Sequence, residues 1–328
     1  MRRYITTGQS SPKLKLKLEV APEVSPKRGE VVVDLKAASL NYRDLLQAGG
    51  PGVVPGSDGA GVISALGDDV EGFAVGDRVV IGFMIGWIEG DFSIAKQETS
   101  LGGELEGVLR DRMVVPADAI VKIPDGMTFE EASCLPCAGV TAWSALFERR
   151  PLQPGETLLL LGTGGVSIFA LQLAKKAGAR IIITSSSDEK LERARALGAD
   201  EVINYKKTPD WAAEVLSLTD GLGADIAVDV AGPATLSQTL HAVRGNGRIS
   251  LMGVLTGFDG PVDTSAILRK RITLQGIYVG PVSTLRSLVA TGIKPEIDQV
   301  YSFEEAEAAY SALENAGHVG KIVIKIAD

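Results

Sequence analysis

Residues 158–169 read Leu158-Leu159-Leu160-Leu161-Gly162-Thr163-Gly164-Gly165-Val166-Ser167-Ile168-Phe169. An apolar run stops on three glycines and a helical pattern starts at once. Two structures use such residues: a tight turn between a buried strand and a helix, or a loop whose backbone cradles a pyrophosphate. In the dinucleotide fingerprint G-x-G-x-x-G, the first glycine makes the turn and the second lets the backbone approach the phosphates. The third lets the helix pack closely on the strand. Gly162 and Gly164 fill the first two slots, and Ser167 stands in the third as a small packing residue.

The downstream pattern favours the dinucleotide loop. Val166, Phe169, Ala170, Leu173, Ala174 and Ala177 recur at helical spacing and form one apolar stripe, with Gly178 placed to stop the helix. Strand signals then alternate with helix signals. Strands are expected at 156–161, 180–184, 201–204, 225–230, 247–252 and 272–278, and helices at 165–177, 188–197, 209–218 and 233–244. This βαβ alternation implies a doubly wound parallel sheet of the Rossmann type. The helix N-terminus then points its unpaired N–H groups at the loop, and Gly162, Thr163, Gly164, Gly165 and Val166 are the expected cofactor-binding residues.

The cofactor's identity turns on the end of the next strand. NAD sites place an Asp or Glu there, about 20 residues on, to bond the ribose. Here the position falls in Thr184-Ser185-Ser186-Ser187, with Asp188 and Glu189 one step later and Lys190 behind them. Ser185, Ser186 and Lys190 suit a 2′-phosphate, so NADP(H) is expected over NAD(H); a solvated surface lysine is the alternative for Lys190.

The first 125 residues have a different texture. Alternation at 13–20 turns Leu14, Leu16, Leu18 and Val20 one way, and strand signals recur at 30–40, 57–66 and 75–83. Gly and Asp punctuate them, as in a small antiparallel barrel. At the other end, Ser302 and Glu305 form a capping-box pattern ahead of a helix at 303–317, and an apolar strand follows at 321–327.

Composition narrows the function classes. The chain has 328 residues, is 45% hydrophobic and carries a formal net charge of −8, which disfavours nucleic-acid or anionic-membrane partners. No apolar run reaches the ~18 residues of a membrane span, and no signal-peptide core follows the opening arginines, so a cytoplasmic protein is expected. The two cysteines, Cys134 and Cys137, lie in a small-residue helix and are read as packed thiols rather than as a redox pair. His241 and His318 are read as non-catalytic.

Taken together, GSDGAGVI (56–63), VGDRVV (75–80), the glycine loop with its helix, ARALGADEVINY (194–205) and GHVGKIVI (317–324) resemble the medium-chain dehydrogenase/reductase superfamily, in its zinc-free quinone oxidoreductase-like branch. The resemblance spans nearly the whole chain. It implies a GroES-like antiparallel β-barrel catalytic domain, 1–125 with 281–328, a Rossmann domain at 126–280, and an active site in the cleft. A homodimer or tetramer is also implied, with the last Rossmann strand pairing across subunits.

The resemblance further implies what holds metal in zinc-containing relatives. They carry a cysteine at the position of Asn41 and a histidine and glutamate at those of Ser57 and Asp58; only Cys137 matches a ligand. One soft ligand does not hold zinc. The structural zinc lobe needs four cysteines around 85–110, where this chain has none. No zinc of either kind is expected.

The segment Ser39-Leu40-Asn41-Tyr42-Arg43-Asp44 also resembles the enoyl-reductase domains of polyketide synthases. Hydride addition to an enone, enoyl ester or quinone leaves negative charge on oxygen, which Tyr42 or the Asn41 amide can meet with a hydrogen bond. Tyr42 or water would deliver the proton to carbon. A packed aromatic is the alternative for Tyr42, Asn41 can equally bond the cofactor, and Asp44 is read as orienting neighbours or pairing with Arg43. Further carry-overs place Thr141, Tyr205, Met252, Gly253, Val254, Ile277, Tyr278 and Val279 at the cofactor.

Three functions are therefore open: a metal-free NADP(H)-dependent reductase of quinones or activated double bonds, an alcohol dehydrogenase or carbonyl reductase on the same cofactor, and an NADPH-binding module with little turnover. The partner in each enzyme reading is a small carbonyl, enone or quinone. The stretch between Leu46 and Pro55 is shorter than relatives usually have, so it says nothing of substrate.

Overall fold

The computed structural model describes residues 1–8, 15–47 and 51–328; part of the short 47–55 stretch and Lys13 and Leu14 lie outside the described residues. The chain divides into two compact units, Met1–Val140 with Val279–Asp328, and Thr141–Tyr278.

In chain order the strands are β1 (Arg2–Thr6), β2 (Leu16–Val20), β3 (Glu30–Leu40), β4 (Asp58–Leu66), β5 (Arg78–Ile81), β6 (Arg112–Pro116) and β7 (Ile120–Lys122). Then come β8 (Thr157–Leu161), β9 (Arg180–Ser185), β10 (Glu201–Asn204), β11 (Ala224–Asp229), β12 (Val243–Leu251) and β13 (Thr273–Gly276), and finally β14 (Ile297–Ser302) and β15 (Lys321–Lys325).

The first unit is built on a seven-stranded sheet ordered β14-β15-β3-β4-β5-β7, with β6 paired to β3. Its pairs are antiparallel except β14–β15. β3 is the hub because its 11 residues are long enough to pair β4, β6 and β15. Val31, Val33, Leu35, Ile63, Val79, Ile81, Ile322 and Ile324 bury into one core, which Phe303, Tyr310 and Leu313 share. The expected capping box forms: the Glu305 carboxylate accepts from Ser302 N and Oγ at 2.9 and 2.8 Å. The helix beyond it is Ala306–Glu314, led by a single 3-10 turn.

Two N-terminal features differ from the sequence reading. β1 was hidden by its two arginines, yet Tyr4 and Thr6 are buried while Arg2 pairs with Asp111 and Arg3 with Glu19. β2 does alternate, but Leu18 and Val20 are exposed, and only Leu16 of that apolar face packs against the core.

The second unit is a six-stranded, wholly parallel sheet ordered β10-β9-β8-β11-β12-β13. Counted from its own first strand this is 3-2-1-4-5-6, the Rossmann order. Leu159, Leu161, Ile182, Ile203, Trp211, Ala227, Leu240 and Ile249 pack its core. Every expected strand and helix of this unit is present, with ends shifted by a few residues. The helix after β8, Gly165–Lys176, is buried more widely than one stripe, with Ser167, Ile168 and Leu171 inside as well. Gly178 follows it at φ +79°, the left-handed value expected of a helix stop. No helix among the described residues is long and apolar enough to cross a membrane.

Candidate functional site

In the Rossmann unit the strand order reverses between β8 and β11, and ligands of such sheets bind beyond the carboxyl ends of the strands at that point. Both lips of this point are built by identifiable bonds. On the first, Gly162 takes φ +73°, and Gly164 caps the helix Gly165–Lys176. A Cβ on either glycine would meet no atom within 4 Å. The loop therefore presents bare backbone to open space in front of a helix N-terminus, a cradle that fits a pyrophosphate. Thr163 is buried behind it, with Gly165 and Val166 in the first helical turn. Ser167 Oγ donates to Leu161 O at 2.8 Å, so the third-slot residue fastens helix to strand.

The second lip rests on a residue the sequence reading passed over. Asp229, fully buried at the end of β11, accepts from Ala231 N, Gly232 N, Thr235 Oγ1 and Thr239 Oγ1 at 2.7–3.0 Å. Its own carbonyl accepts from Met252 N and Gly253 N, at the end of β12. One aspartate thus fixes two neighbouring loops, including the expected Met252-Gly253-Val254 segment. An acid closing a strand directly after the apolar Ile226-Ala227-Val228 is the signal that marks it. The third segment follows β13: Ile277 is buried, Tyr278 is partly exposed, and Val279 takes φ +55°. A β-branched residue there stores about 1–3 kcal/mol of strain, of the kind that concentrates at ligand sites.

Ser185 is buried at the end of β9, Ser186 follows, and Ser187 caps the next helix through Lys190 N. Asp188, the first acid after the strand, is engaged: its carboxylate accepts from Asn204 Nδ2 at 2.6 Å and from Lys207 Nζ. These bonds hold its carboxyl below the ordinary aspartate range. Tyr205 lies one residue past β10 and is exposed. Thr141 is buried in the helix Val140–Trp143.

The first unit holds the other cluster. β3 ends at Leu40, and the helix Tyr42–Gln47 begins two residues on, so Asn41 is the hinge of a strand–helix junction. Asp44 reaches back to accept from Asn41 N at 2.8 Å and pairs with Arg43 at 3.4 Å, in line with the orienting role expected of it. Arg43 in turn donates to Leu101 O and stacks on Phe83, 4.7 Å from the ring centre. Asp44 has no exposed side-chain surface, and that burial, partly offset by Arg43, pushes its pKa up to about 6. Tyr42 is 39% exposed and makes no hydrogen bond through its hydroxyl to a described residue.

Asn41, Ser57, Asp58 and Cys137, the positions compared with zinc ligands, are wired together. Asn41 Nδ2 lies 3.5 Å from Ser57 Oγ, Ser57 Oγ donates to Asp58 Oδ1 at 2.6 Å, and Cys137 N donates to Asp58 Oδ2 at 3.0 Å. A group absent from the sequence reading completes the cluster. Lys321, 3% exposed at the start of β15, donates from Nζ to Leu40 O at 2.6 Å and to Asn41 Oδ1 at 2.5 Å. Burial pushes the Asp58 carboxyl up, and the Lys321 charge pulls it back.

The two cysteines are free thiols. Burial raises Cys134 to about 12 and lifts Cys137 further, so neither offers a ready thiolate. The segment compared with the zinc lobe is braced by Lys96, whose Nζ donates to Glu89 O and Asp91 O and lies 5.9 Å from the Trp87 ring. Trp87 Nε1 donates to Gly90 O at 2.8 Å.

Comparison with known proteins agrees with the two-unit fold. Residues 27–125 match the alcohol dehydrogenase GroES-like domain, and residues 165–292 match the zinc-binding dehydrogenase domain. Over 345 aligned positions the chain is 44% identical to a zinc-type alcohol dehydrogenase-like protein of Schizosaccharomyces pombe, covering 99% of each. The crystal structure of an NAD-dependent alcohol dehydrogenase is 33% identical, covers 100% of both chains and superposes with a TM-score of 0.88. A quinone oxidoreductase of Pseudomonas syringae pv. Tomato DC3000 is 29% identical, covers 99% of this chain and 100% of its own, and gives a TM-score of 0.83.

Proposed function

Because the chain belongs to the medium-chain dehydrogenase/reductase superfamily, among the alcohol dehydrogenase-like oxidoreductases, we propose that it is an NADP(H)-dependent reductase of quinones or activated double bonds that works without zinc. Its catalytic domain, expected at 1–125 with 281–328, takes the unit Met1–Val140 with Val279–Asp328, and its cofactor domain, expected at 126–280, takes Thr141–Tyr278.

One observation carries the zinc-free reading. At the positions compared with zinc ligands stand an amide (Asn41), a hydroxyl (Ser57), a carboxyl already bonded to Ser57 Oγ and Cys137 N (Asp58) and a thiol whose pKa is raised by burial (Cys137). A lysine ammonium lies 2.5 Å from the amide oxygen. Neutral donors and one carboxyl with both oxygens engaged, beside a resident cation, are a poor site for a dication.

A bound NADP(H) would supply the hydride. Its pyrophosphate would be held by Gly162, Thr163, Gly164, Gly165 and Val166, and its 2′-phosphate by Ser185, Ser186 and Lys190. Engagement of Asp188 by Asn204 and Lys207 leaves that carboxylate occupied, which supports NADP(H) over NAD(H). Thr141, Tyr205, Met252, Gly253, Val254, Ile277, Tyr278 and Val279 complete the cofactor contacts. In the catalytic domain, Asn41 Nδ2 donates to the substrate's oxygen as charge develops there, and the exposed Tyr42 hydroxyl is the second donor and proton source. β13 ends the parallel sheet, and pairing of that strand between copies would make a homodimer.

The test is NADPH oxidation against enones, quinones and aldehydes, with NADH in parallel. Turnover of enones or quinones above aldehydes supports the reading. A second reading, an alcohol or carbonyl oxidoreductase, draws on the names of two of the relatives above, and aldehyde turnover alone would favour it.

A further inference from the structure

Lys321 is the least expected part of the catalytic cluster. A lysine opening an apolar strand would ordinarily send its ammonium to water. Here Gly320, at φ +82°, turns the chain into β15 where a side chain would strike Glu296 O at 2.3 Å. β15 then pairs antiparallel with β3 in the register Ile322↔Leu40, which brings Lys321 beside the β3 terminus.

An ammonium has only donors, so whatever faces it must accept. This settles the Asn41 amide: Oδ1 turns to Lys321 at 2.5 Å, and Nδ2 turns away. On its other side Nδ2 lies 3.5 Å from Ser57 Oγ, the far limit of a hydrogen bond, and the Asn41 side chain also bonds the Asp58 carboxyl. The Ser57 proton is committed to Asp58 at 2.6 Å. The strong bond therefore holds the oxygen, Ser57 and Asp58 engage one N–H of Nδ2, and the second N–H is left to be used. Without the ammonium, the amide could turn over, accept rather than donate, and lose its purpose as a donor to an oxyanion.

We propose that Lys321 is the positioning residue of the site: its ammonium locks the Asn41 amide with Nδ2 presented as donor, and polarises that donor toward the substrate oxygen. This rests on the zinc-free reading above, in which Asn41 and not a metal meets the oxygen.

The experiment is a double-mutant cycle on the NADPH-loaded enzyme, with kcat and KM measured for an accepted enone or quinone and Kd for NADPH. Asn41→Ala removes the donor and should lower kcat about 100-fold, the scale of a lost oxyanion-hole donor. Lys321→Met should lower kcat about tenfold to 100-fold with the NADPH Kd unchanged. In the Asn41→Ala background the same substitution should cost less than about threefold more, because there is no amide left to orient. Lys321→Arg should recover part of the lost kcat. Lys321→Gln, which can donate without charge, should recover less. Should Lys321→Met fail to fold, the Arg and Gln variants decide: equal kcat in the two overturns the proposal. Independent, additive losses at 321 and 41 overturn it as well, as does full kcat in Lys321→Met. Full activity in Asn41→Ala would instead overturn the reading of Asn41 itself, and the proposal with it.

Discussion

Ser167 Oγ donates to the carbonyl oxygen of Leu161 at 2.8 Å, tying the first turn of a helix to the last residue of the strand before it. The bond is buried, so Ser167→Ala should cost about 1 kcal/mol of stability in denaturant unfolding. A bulky Ser167→Leu should also push the helix from the strand and weaken NADPH binding at least about tenfold, roughly 1.4 kcal/mol. Unchanged binding in the leucine variant would show that the loop's form does not depend on this packing.

Gly162 and Gly253 are glycines for different reasons, and alanine separates them. At Gly162 the added Cβ meets open space, but φ is +73°, so the cost is backbone strain of about 1–2 kcal/mol. At Gly253 the Cβ would lie 1.7 Å from Val230 C and 1.8 Å from its oxygen. Backbone cannot yield cheaply there, and Gly253→Ala should lose about 3 kcal/mol or more, or fail to fold. Thermal melting of the two variants checks the order; Gly253→Ala melting like wild type would refute it.

Lys190→Ala should raise the Kd for NADPH about tenfold and leave that for NADH within about twofold, because only the former carries the 2′-phosphate. Fluorescence titration with both cofactors measures this. Equal effects on the two would remove Lys190 from the cofactor site.

The Asp44 carboxyl is raised from an ordinary 3.8 to about 6 by burial. An acid whose folded pKa is raised is bound more readily by protons in the folded state, so its ionisation opposes folding. The contribution is favourable below about pH 4 and is lost as pH rises through about 6, amounting to about 3 kcal/mol. Asp44→Asn should therefore flatten the fall in unfolding free energy between pH 4 and pH 7. A variant with the same slope as wild type would place the titration elsewhere.

Much of this molecule was legible because the determining patterns are local. The apolar runs at Leu158–Leu161 and Ile181–Ile183, each followed by its helix, specify a buried parallel sheet within about 30 residues of chain. The Ser302–Glu305 capping box is shorter still. β1 was not legible because Arg2 and Arg3 find partners at Asp111 and Glu19, so charges that look solvated line a paired strand. The start of β12 was hidden for a related reason: Gly245-Asn246-Gly247 reads as a turn, and Asn246 does take φ +59°, but pairing with β11 resumes across the shift. The cluster around Asn41 was half legible. Asn41 and Asp44 are neighbours in sequence, whereas Lys321 lies 280 residues from Asn41 and meets it only through the β3–β15 register. Asp229 shows the same limit, since an acid in an apolar strand reveals its burial only when its four donors converge.

Whether this protein reduces its substrate without a metal is decided by measuring metal content beside activity. The purified protein should carry well under one zinc per chain by elemental analysis and should oxidise NADPH with an enone or quinone at the same rate after exhaustive chelation. One tightly held zinc per chain, with activity lost on its removal and restored on its return, would contradict the account.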